Sequence, residues 1–496
     1  MDFSRTIASP SNSQFDLGVF AARGLISSLL VGDSIAALAE VSLSVSSAVN
    51  TGQAYTQFTR SNHGLGVSDP VRVTANVKAK HNVLDGVVAA WVDANNFTVK
   101  PTSDRPCLLT GASPSVYMPL RKSQRGWYTW LENYLGGTLD TTFCAFGGAS
   151  AVDCLRLVQK VADVHDIAFV NVGMNNVYSL TQDYDTAANI LEQLLVETSK
   201  RCRVLCVLSI PPKNSSDGAW TSARQTIHSK LNRFLYSWCR SNDSKAIFVD
   251  VWGAVANGST YVNSGATNPD PTSAHVHDTT HPSAVGARAI GKLIYDQLSS
   301  RFNLPIWNPL HASLLSLDHN LLTDSDFATD TAGIATGWVV SDSTASMSVT
   351  PSMVSRTVSS NGDAFGRNQR LTINYGTASG TASTRFRKNN IQSLFIAGQT
   401  VQLGVPYSVS GCVGLLGIEL AIFGTKSDGT FWQVYGHNLD SNTKPHTDDF
   451  SGTLLTPKAV VPSDLSDVDI WVRPYISSAQ STDLVLDLWR PQLVKF

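Results

Sequence analysis

The order of apolar and polar positions divides the chain into an α/β part and a β part. Up to about residue 304, continuous apolar runs alternate with stretches in which apolar residues recur every three or four positions. The runs predict strands buried on both faces of a parallel sheet, and the periodic stretches predict amphipathic helices. The predicted strands are 25–31, 167–172, 204–210 and 246–251, and the predicted helices are 151–164, 187–200, 222–241 and 282–301. Strands that alternate with helices predict a three-layer α/β/α domain over residues 25–304.

Helical periodicity is missing from two long segments. Residues 51–125 carry short alternating runs between turn residues, which predicts a small β insertion within the α/β domain. Residues 317–496 carry many such runs and predict a C-terminal β-sandwich of jelly-roll type. A proline-containing linker is predicted at 305–316, and the polar residues 1–24 predict a lead-in segment.

The charge of the chain argues against two classes of partner. Charged residues make up 15% of the sequence, and the net charge is −2. Proteins that bind nucleic acid or an anionic membrane surface usually carry a basic excess. No apolar run approaches the roughly 18 residues that a membrane-spanning helix needs. We therefore expect neither a nucleic-acid partner nor insertion into a membrane.

The cysteines and the first residues bear on where the protein is made. The seven cysteines are odd in number and show no zinc-binding spacing, so we expect free, buried thiols and a reducing compartment. The sequence also begins without the basic segment and apolar core of a secretory signal. Synthesis in the cytoplasm without secretion through a signal peptide is the expectation.

Candidate chemistry is concentrated where predicted strands end. Ser34 follows the first strand, Asn175 follows a later strand, and Gly148 precedes a helix. Asp278 and His281 lie three positions apart on a late loop. Acyl transfer requires a nucleophile, a base and a group that orients the base, and Ser34, His281 and Asp278 can supply these roles.

Four short blocks in this order resemble the SGNH (GDSL-type) hydrolase family. They are Gly-Asp-Ser at 32–34, Gly-Gly at 147–148, Gly-Met-Asn-Asn at 173–176 and Asp-Thr-Thr-His at 278–281. The family pattern in the third block is usually Gly-x-Asn-Asp, so Asn176 departs from it while Asn175 is kept. The Ser, Asp, His order also occurs in α/β-hydrolases, but Ala36 breaks their Gly-x-Ser-x-Gly motif.

The resemblance implies a flavodoxin-like α/β/α fold and a role for each matching residue. Ser34 would be the nucleophile, His281 the base and Asp278 the group that orients the base. The oxyanion hole would comprise the backbone N–H groups of Ser34 and Gly148 and the side-chain amide of Asn175. The family implies neither a metal nor a cofactor.

Other interpretations of these residues stay open. Gly-Asp-Ser occurs in ordinary turns, and Asp278 could simply cap a helix. The domain could also be an inactive descendant that only binds. His275 and His277 lie close to His281, which invites a metal site, although no matching ligand cluster is found elsewhere. His277 is also a minor rival for the role of base, and either histidine could line the pocket.

The C-terminal segment bears on the substrate. Residues 320–322, with Phe327, Gly337 and Trp338, resemble carbohydrate-binding modules, as does the closing run 484–488. Together with the SGNH resemblance, this predicts a serine esterase that removes O-acetyl groups from a polysaccharide. The alternatives are a lipase or thioesterase of the same family and an inactive glycan receptor-binding protein.

The whole layout resembles bacteriophage tailspikes that carry an SGNH deacetylase domain. That resemblance implies a homotrimer in a virion tail, made in the host cytoplasm and acting on capsule or O-antigen at the bacterial surface. Acetylated polysaccharide would be the substrate, and other virion tail proteins would be partners. A cytoplasmic enzyme is the alternative location.

Overall fold

The computed structural model describes most of the chain outside several loops. The described residues are 26–50, 56–60, 65, 67, 69–74, 83–93, 95–101, 115–137, 139–256, 271–302, 320–323, 325–355, 367–439, 444–478 and 480–496. The predicted lead-in 1–24 and linker 305–316 lie outside them. Among the described helices, none combines the length and the apolar character needed to cross a bilayer.

Helices and strands are numbered here in chain order. The α-helices are α1 Ser34–Ala37, α2 Trp127–Leu135, α3 Ala151–Val158, α4 Met174–Val177, α5 Tyr184–Lys200, α6 Ser222–Ser241, α7 Val251–Val255 and α8 Ala284–Arg301. The strands are β1 Ile26–Gly32, β2 Glu40–Ser44, β3 Ser47–Asn50, β4 Thr56–Thr59, β5 Pro70–Thr74, β6 Val83–Asp93, β7 Asn96–Pro101, β8 Ser115–Ser123, β9 Leu139–Ala145, β10 His165–Asn171, β11 Cys202–Leu208, β12 Ala246–Val249, β13 Asp330–Thr331, β14 Ile334–Ala335, β15 Val339–Ser341, β16 Ser348–Ser355, β17 Arg367–Asn374, β18 Ala382–Ser383, β19 Arg385–Lys388, β20 Thr400–Ser410, β21 Leu415–Lys426, β22 Phe431–Asn438, β23 Phe450–Leu455, β24 Ala459–Val460, β25 Leu465–Ile476, β26 Leu484–Leu488 and β27 Gln492–Lys495.

The chain folds into two compact units, and each unit is built from two separate segments. The α/β unit comprises Met1–Ala39 and Arg125–Pro309, and the β unit comprises Glu40–Gln124 and Leu310–Phe496. The segment predicted as an insertion of the α/β domain therefore belongs to the β unit. The cause is long-range strand pairing, because β8 of this segment pairs with β22 of the C-terminal segment. Local sequence patterns do not record such pairing.

The α/β unit is organised around a five-stranded parallel sheet in the order β12-β11-β10-β1-β9. Leu29, Leu30 and Val31 of the central strand β1 are fully buried, as expected for a strand covered on both faces. Helix α2 packs with α8, which also packs with α7, and α5 packs with α3 and α6. This parallel sheet with its helices fits the predicted α/β class.

Polar residues at helix starts set where several of these helices begin. The Ser150 hydroxyl accepts from the N–H of Asp153, whose carboxylate accepts in return from Ser150, which is a capping box. Thr221 and Ser283 cap α6 and α8 in the same way, through their hydroxyl groups. The last helix therefore begins after Ser283, slightly later than the sequence predicts.

The β unit contains two large sheets that share a hydrophobic core. The larger sheet includes β19, β25, β21 and β22, and the smaller includes β17, β26 and β20. Their facing side chains form one buried cluster, with Leu371 and Leu403 from the smaller sheet and Leu420 and Val472 from the larger. Two sheets around one core agree with the predicted strand-rich C-terminal region.

Candidate active site

The ends of three neighbouring strands form the candidate site. In the parallel sheet, Gly32 at the end of β1 pairs with Ala145 of β9 and with Asn171 of β10. Ser34, Gly148 and Asn175 each follow one of these strands within a few residues. Sites in open parallel sheets collect at the carboxyl ends of the strands, so this edge is where chemistry is expected.

Ser34 lies on a tight turn between β1 and α1. A Cβ atom on Gly32 would lie 2.2 Å from the Cβ of Ala36, so only glycine fits where the strand meets the helix. Asp33 caps the helix, because its Oδ1 accepts from the N–H of Ile35 at 3.0 Å. The turn leaves Ser34 only partly buried at the first position of α1.

Ser34, His281 and Asp278 form one chain of hydrogen bonds. The Ser34 Oγ lies 2.9 Å from His281 Nε2, and His281 Nδ1 lies 2.8 Å from Asp278 Oδ2. An imidazole that donates from Nδ1 to Asp278 presents an unprotonated Nε2 to the serine hydroxyl. That arrangement lets the histidine remove the hydroxyl proton as the oxygen attacks a carbonyl.

The Asp278 carboxylate is held ionised by its own loop. Its Oδ1 accepts from the backbone N–H groups of Thr280 and His281, both at 2.7 Å. Burial would raise the pKa of Asp278, but hydrogen bonds from the His281 side chain and backbone outweigh this and hold the pKa well below its usual range. The carboxylate is therefore charged and able to orient the imidazole at neutral pH.

A buried lysine that the sequence analysis missed holds the same loop. The Lys213 side chain is 2% exposed, and its Nζ lies 2.8 Å from Asp217 Oδ2. It donates to Thr279 Oγ1 at 3.1 Å and to Thr280 Oγ1, and these two threonines separate Asp278 from His281. The hydrogen bond from Lys213 lowers the pKa of Asp217 to about 2. Only the fold shows that Lys213 is buried against this loop, so no sequence signal could have identified it.

Asn175 links the loop after β10 to the loop after β9. Its Nδ2 donates to the carbonyl oxygen of Ala149 at 3.0 Å, and its Oδ1 accepts from the Ser179 hydroxyl at 3.1 Å. Gly148 has a φ of 79°, which favours glycine at this position. The structure thus brings the Gly148 and Asn175 loops together, while their role as oxyanion donors stays a prediction.

The departure of Asn176 from the usual aspartate has a structural account. The side chain is fully buried. Its Oδ1 accepts from the N–H of Ala151 at 3.0 Å, and its Nδ2 donates to Gln182 Oε1 at 2.8 Å. An amide oxygen satisfies the first N–H of α3 as a carboxylate would, so the substitution leaves this helix start paired.

Asp33 adds a second carboxyl group close to the histidine. The residue is 2% exposed, and burial raises the pKa of its side chain from 3.8 to about 6. The N–H of Ile35 and the nearby charge of His281 offset only part of this increase. Asp33 therefore changes its charge in mildly acidic solution, which its position beside Ser34 in the sequence did not suggest.

The other residues considered in the sequence lie elsewhere. The backbone N–H of His277 donates to the carbonyl of His281, and the carbonyl of His275 accepts from Ser283, so both shape the loop backbone. It is His281 that contacts Ser34.

Within the described ranges, no group of three or more His, Cys, Asp or Glu side chains could hold a metal ion. Trp127 and Trp130 of α2 are buried in the core.

Comparison with protein families gives the class of the domain. Residues 110–289 match the GDSL-like Lipase/Acylhydrolase family. This segment of the chain is similar to GDSL-like acylhydrolases. The match includes Gly148, Asn175, Asp278 and His281 and begins after Ser34.

Several solved structures show a distant likeness to parts of the chain. A GDSL-like lipase from Bacteroides thetaiotaomicron is 17% identical, with 36% of this chain and 83% of that chain covered and a TM-score of 0.29. The acetylxylan esterase Axe2 from Geobacillus stearothermophilus is 14% identical, with 55% and 94% covered and a TM-score of 0.30. The xylan-binding domain CBM22-1 of Paenibacillus barcinonensis Xyn10C is 10% identical, with 36% and 94% covered and a TM-score of 0.25. No curated protein matches the sequence.

Proposed function

We propose that the protein is a serine esterase that removes O-acetyl groups from a bacterial surface polysaccharide. The observation that carries the proposal is the hydrogen-bonded chain Ser34, His281 and Asp278 at the edge of the parallel sheet. The similarity to GDSL-like acylhydrolases supports ester hydrolysis as the reaction class.

The first half of the reaction transfers the acetyl group to the enzyme. His281 Nε2 takes the proton of Ser34 as Oγ bonds to the ester carbonyl carbon. The carbonyl oxygen becomes an oxyanion, for which the backbone N–H groups of Ser34 and Gly148 and the Asn175 amide are the proposed donors. The bond to the sugar oxygen then breaks, and His281 returns the proton to that oxygen. Acetyl-Ser34 remains.

The second half releases acetate and restores the serine. A water molecule gives a proton to His281 Nε2 and attacks the acetyl carbon. The same donors stabilise the second oxyanion, and the bond to Ser34 Oγ breaks as His281 returns the proton to that oxygen. Throughout, the ionised Asp278 stabilises the imidazolium that forms in each half reaction.

The proposed setting is a phage tailspike or tail fibre. The arrangement of an α/β hydrolase followed by a strand-rich segment supports this assignment, as does the resemblance of that segment to carbohydrate-binding modules. We assign the α/β unit a flavodoxin-like layout and the C-terminal sheets a jelly-roll layout. A trimer in the virion tail, in contact with other tail proteins and with acetylated capsule or O-antigen, completes the proposal.

Two ester series test the reaction and its chain-length preference. We expect the purified full chain to hydrolyse p-nitrophenyl acetate faster than p-nitrophenyl octanoate, and Ser34→Ala to remove both activities. A preference for octanoate would favour a lipase or thioesterase instead. No turnover of either ester, or of acetylated capsule and O-antigen preparations assayed for released acetate, would leave a binding protein.

A further inference from the structure

A polar cavity of about 370 Å³ lies on the larger sheet of the β unit, on the face opposite the shared core. Side chains along a strand alternate between faces, and the neighbours Ile470 and Val472 of β25 point into the core. Their alternates Asp469, Trp471 and Arg473 line the cavity. All the lining residues belong to the β unit, whereas Ser34 and His281 belong to the α/β unit.

Strand register explains why a cavity exists at this point. Trp471 pairs with Arg387 on one side and with Ala421 on the other, and Ala421 pairs with Tyr435, which pairs with Arg121. A small alanine therefore separates two large aromatic side chains in the middle of a row across five strands. The two ends of the row are arginines.

The charge of the lining favours an anionic ligand. Four arginines line the cavity against two carboxylates, Glu419 and Asp469; the arginines are Arg121, Arg385, Arg387 and Arg473. Arg385 and Arg387 share one carboxylate outside the lining, at 3.1 and 3.4 Å from Asp342 Oδ2. The Nε atoms of both arginines are buried without a hydrogen-bond partner. The cavity lining therefore carries more positive charge than negative charge, and it has hydrogen-bond donors without an acceptor.

The aromatic rings orient the arginines. The guanidinium carbon of Arg385 lies 4.6 Å from the centre of the Trp471 ring, and that of Arg473 lies 4.8 Å from the Tyr475 ring. Stacked guanidinium groups lose less conformational freedom on binding, and their planar donors match a carboxylate. Because Trp471 is only 4% exposed beneath these groups, a ligand meets charge before it meets an aromatic face.

We propose that this cavity binds the carboxylate of an acidic sugar unit in a polysaccharide. The choice of a saccharide rests on the proposed function, whereas the anionic character rests on the arginines themselves. Gln433 and Asn438 in the lining supply neutral polar groups for the sugar hydroxyls. The β unit would then bind acidic polysaccharide through residues of its own.

Calorimetry on the full chain tests the proposal, with Ser34→Ala as background so that no ester is hydrolysed. The probes are a galacturonate oligosaccharide, its carboxyl-reduced neutral counterpart and inorganic phosphate. We expect binding of the galacturonate oligosaccharide, with at least about tenfold weaker binding of the reduced form, since the reduced form cannot accept charge-assisted hydrogen bonds from the arginines.

Two arginine variants form a matched pair. Arg387→Gln should weaken galacturonate binding about tenfold or more, because it removes a charged donor from the lining. Arg367→Gln, which breaks a pair with Asp330 outside the cavity, should leave binding unchanged. Thermal unfolding of both variants checks that the β unit stays folded. Equal binding of the reduced oligosaccharide, full affinity in Arg387→Gln, phosphate binding as tight as galacturonate, or no binding at all would each overturn the proposal.

The same variants separate this proposal from the proposed esterase function. In the chain with Ser34 intact, hydrolysis of p-nitrophenyl acetate is measured for the wild type and for Arg387→Gln beside galacturonate binding. If the wild-type chain bound galacturonate but hydrolysed no ester, the esterase would be refuted and the anion site would stand. Ester turnover without galacturonate binding would refute the anion site and leave the esterase.

Discussion

The Lys213 ammonium donates a hydrogen bond to Thr279 Oγ1 at 3.1 Å, and so connects a buried charge to the loop that carries both Asp278 and His281. The backbone repeats this connection, because the N–H of Asn214 donates to the carbonyl of Thr279 at 2.9 Å. Lys213 is therefore a positioning residue, which acts through the loop and not on the substrate.

Replacing Lys213 should displace the base His281 and leave substrate binding largely unchanged. We expect Lys213→Met to lower kcat on p-nitrophenyl acetate about 10- to 100-fold with little change in KM, since small displacements of a catalytic group have large effects on rate. Lys292→Met is the control, because Lys292 pairs with Asp296 on the exposed face of α8. A rise in KM with unchanged kcat would contradict the positioning role.

Removing the nucleophile should abolish turnover and leave the fold intact. Ser34→Ala deletes the atom that bonds to the carbonyl carbon, so we expect at least about a thousandfold loss of kcat on p-nitrophenyl acetate. Circular dichroism should be unchanged. Ser300→Ala, on an exposed turn of α8, should retain full activity. Residual activity above a few per cent in Ser34→Ala would assign the chemistry to another residue.

The amide of Asn175 should matter more in the transition state than in binding. We expect Asn175→Ala to lower kcat about 100-fold while KM changes little, because one oxyanion donor typically contributes 100- to 1000-fold in rate. Asn189→Ala on the exposed face of α5 is the matched control. A variant with wild-type kcat would remove Asn175 from the oxyanion hole.

Asp33 should make stability depend on pH in a definite direction. Its pKa is raised from 3.8 to about 6 by burial, so between these values the folded chain binds more protons than the unfolded chain. The free energy of unfolding contributed by this group therefore falls as pH rises from about 4 to about 6 and is constant above. An asparagine at this position can still accept a hydrogen bond from the N–H of Ile35 through its amide oxygen, but it carries no charge.

Denaturant unfolding of Asp33→Asn beside the wild type measures this contribution. The variant should gain stability relative to the wild type as pH rises through that window, by roughly 3 kcal/mol at most if the whole shift is expressed. Asp296→Asn on the exposed face of α8 should show no such trend. A difference between Asp33→Asn and wild type that is flat from pH 4 to 7 would show that Asp33 is not buried as described.

The sequence predicted the parts of the α/β unit whose signal is local. Strands β1, β10 and β11 are continuous apolar runs because both their faces are covered. Strand β9 lies at the edge of the sheet and exposes Asp140 and Thr142, so its apolar signal is interrupted and it was missed. Helix α2 was not predicted either, and its aromatic residues Trp127, Tyr128 and Trp130 fill the core.

In the candidate site, too, the residues with a local sequence signal could be predicted and the others could not. Ser34, Asp278 and His281 follow from short sequence motifs, and the structure joins them by hydrogen bonds. Lys213 and Asp33 owe their properties to burial, which depends on residues far away in the chain. The assignment of Glu40–Gln124 to the β unit depends likewise on pairing between β8 and β22, which no local pattern encodes.

That pairing has a consequence for how the protein emerges from the ribosome. Strand β8 is complete at Ser123, but its partner β22 begins only at Phe431, roughly 300 residues later. At about 5–20 residues per second, this edge of the sheet waits roughly 15–60 s for its neighbour during synthesis. The α/β unit is fully synthesised by Pro309, so it can be complete while the first segment of the β unit still lacks its C-terminal partner strands. No single cut in the chain releases either unit whole.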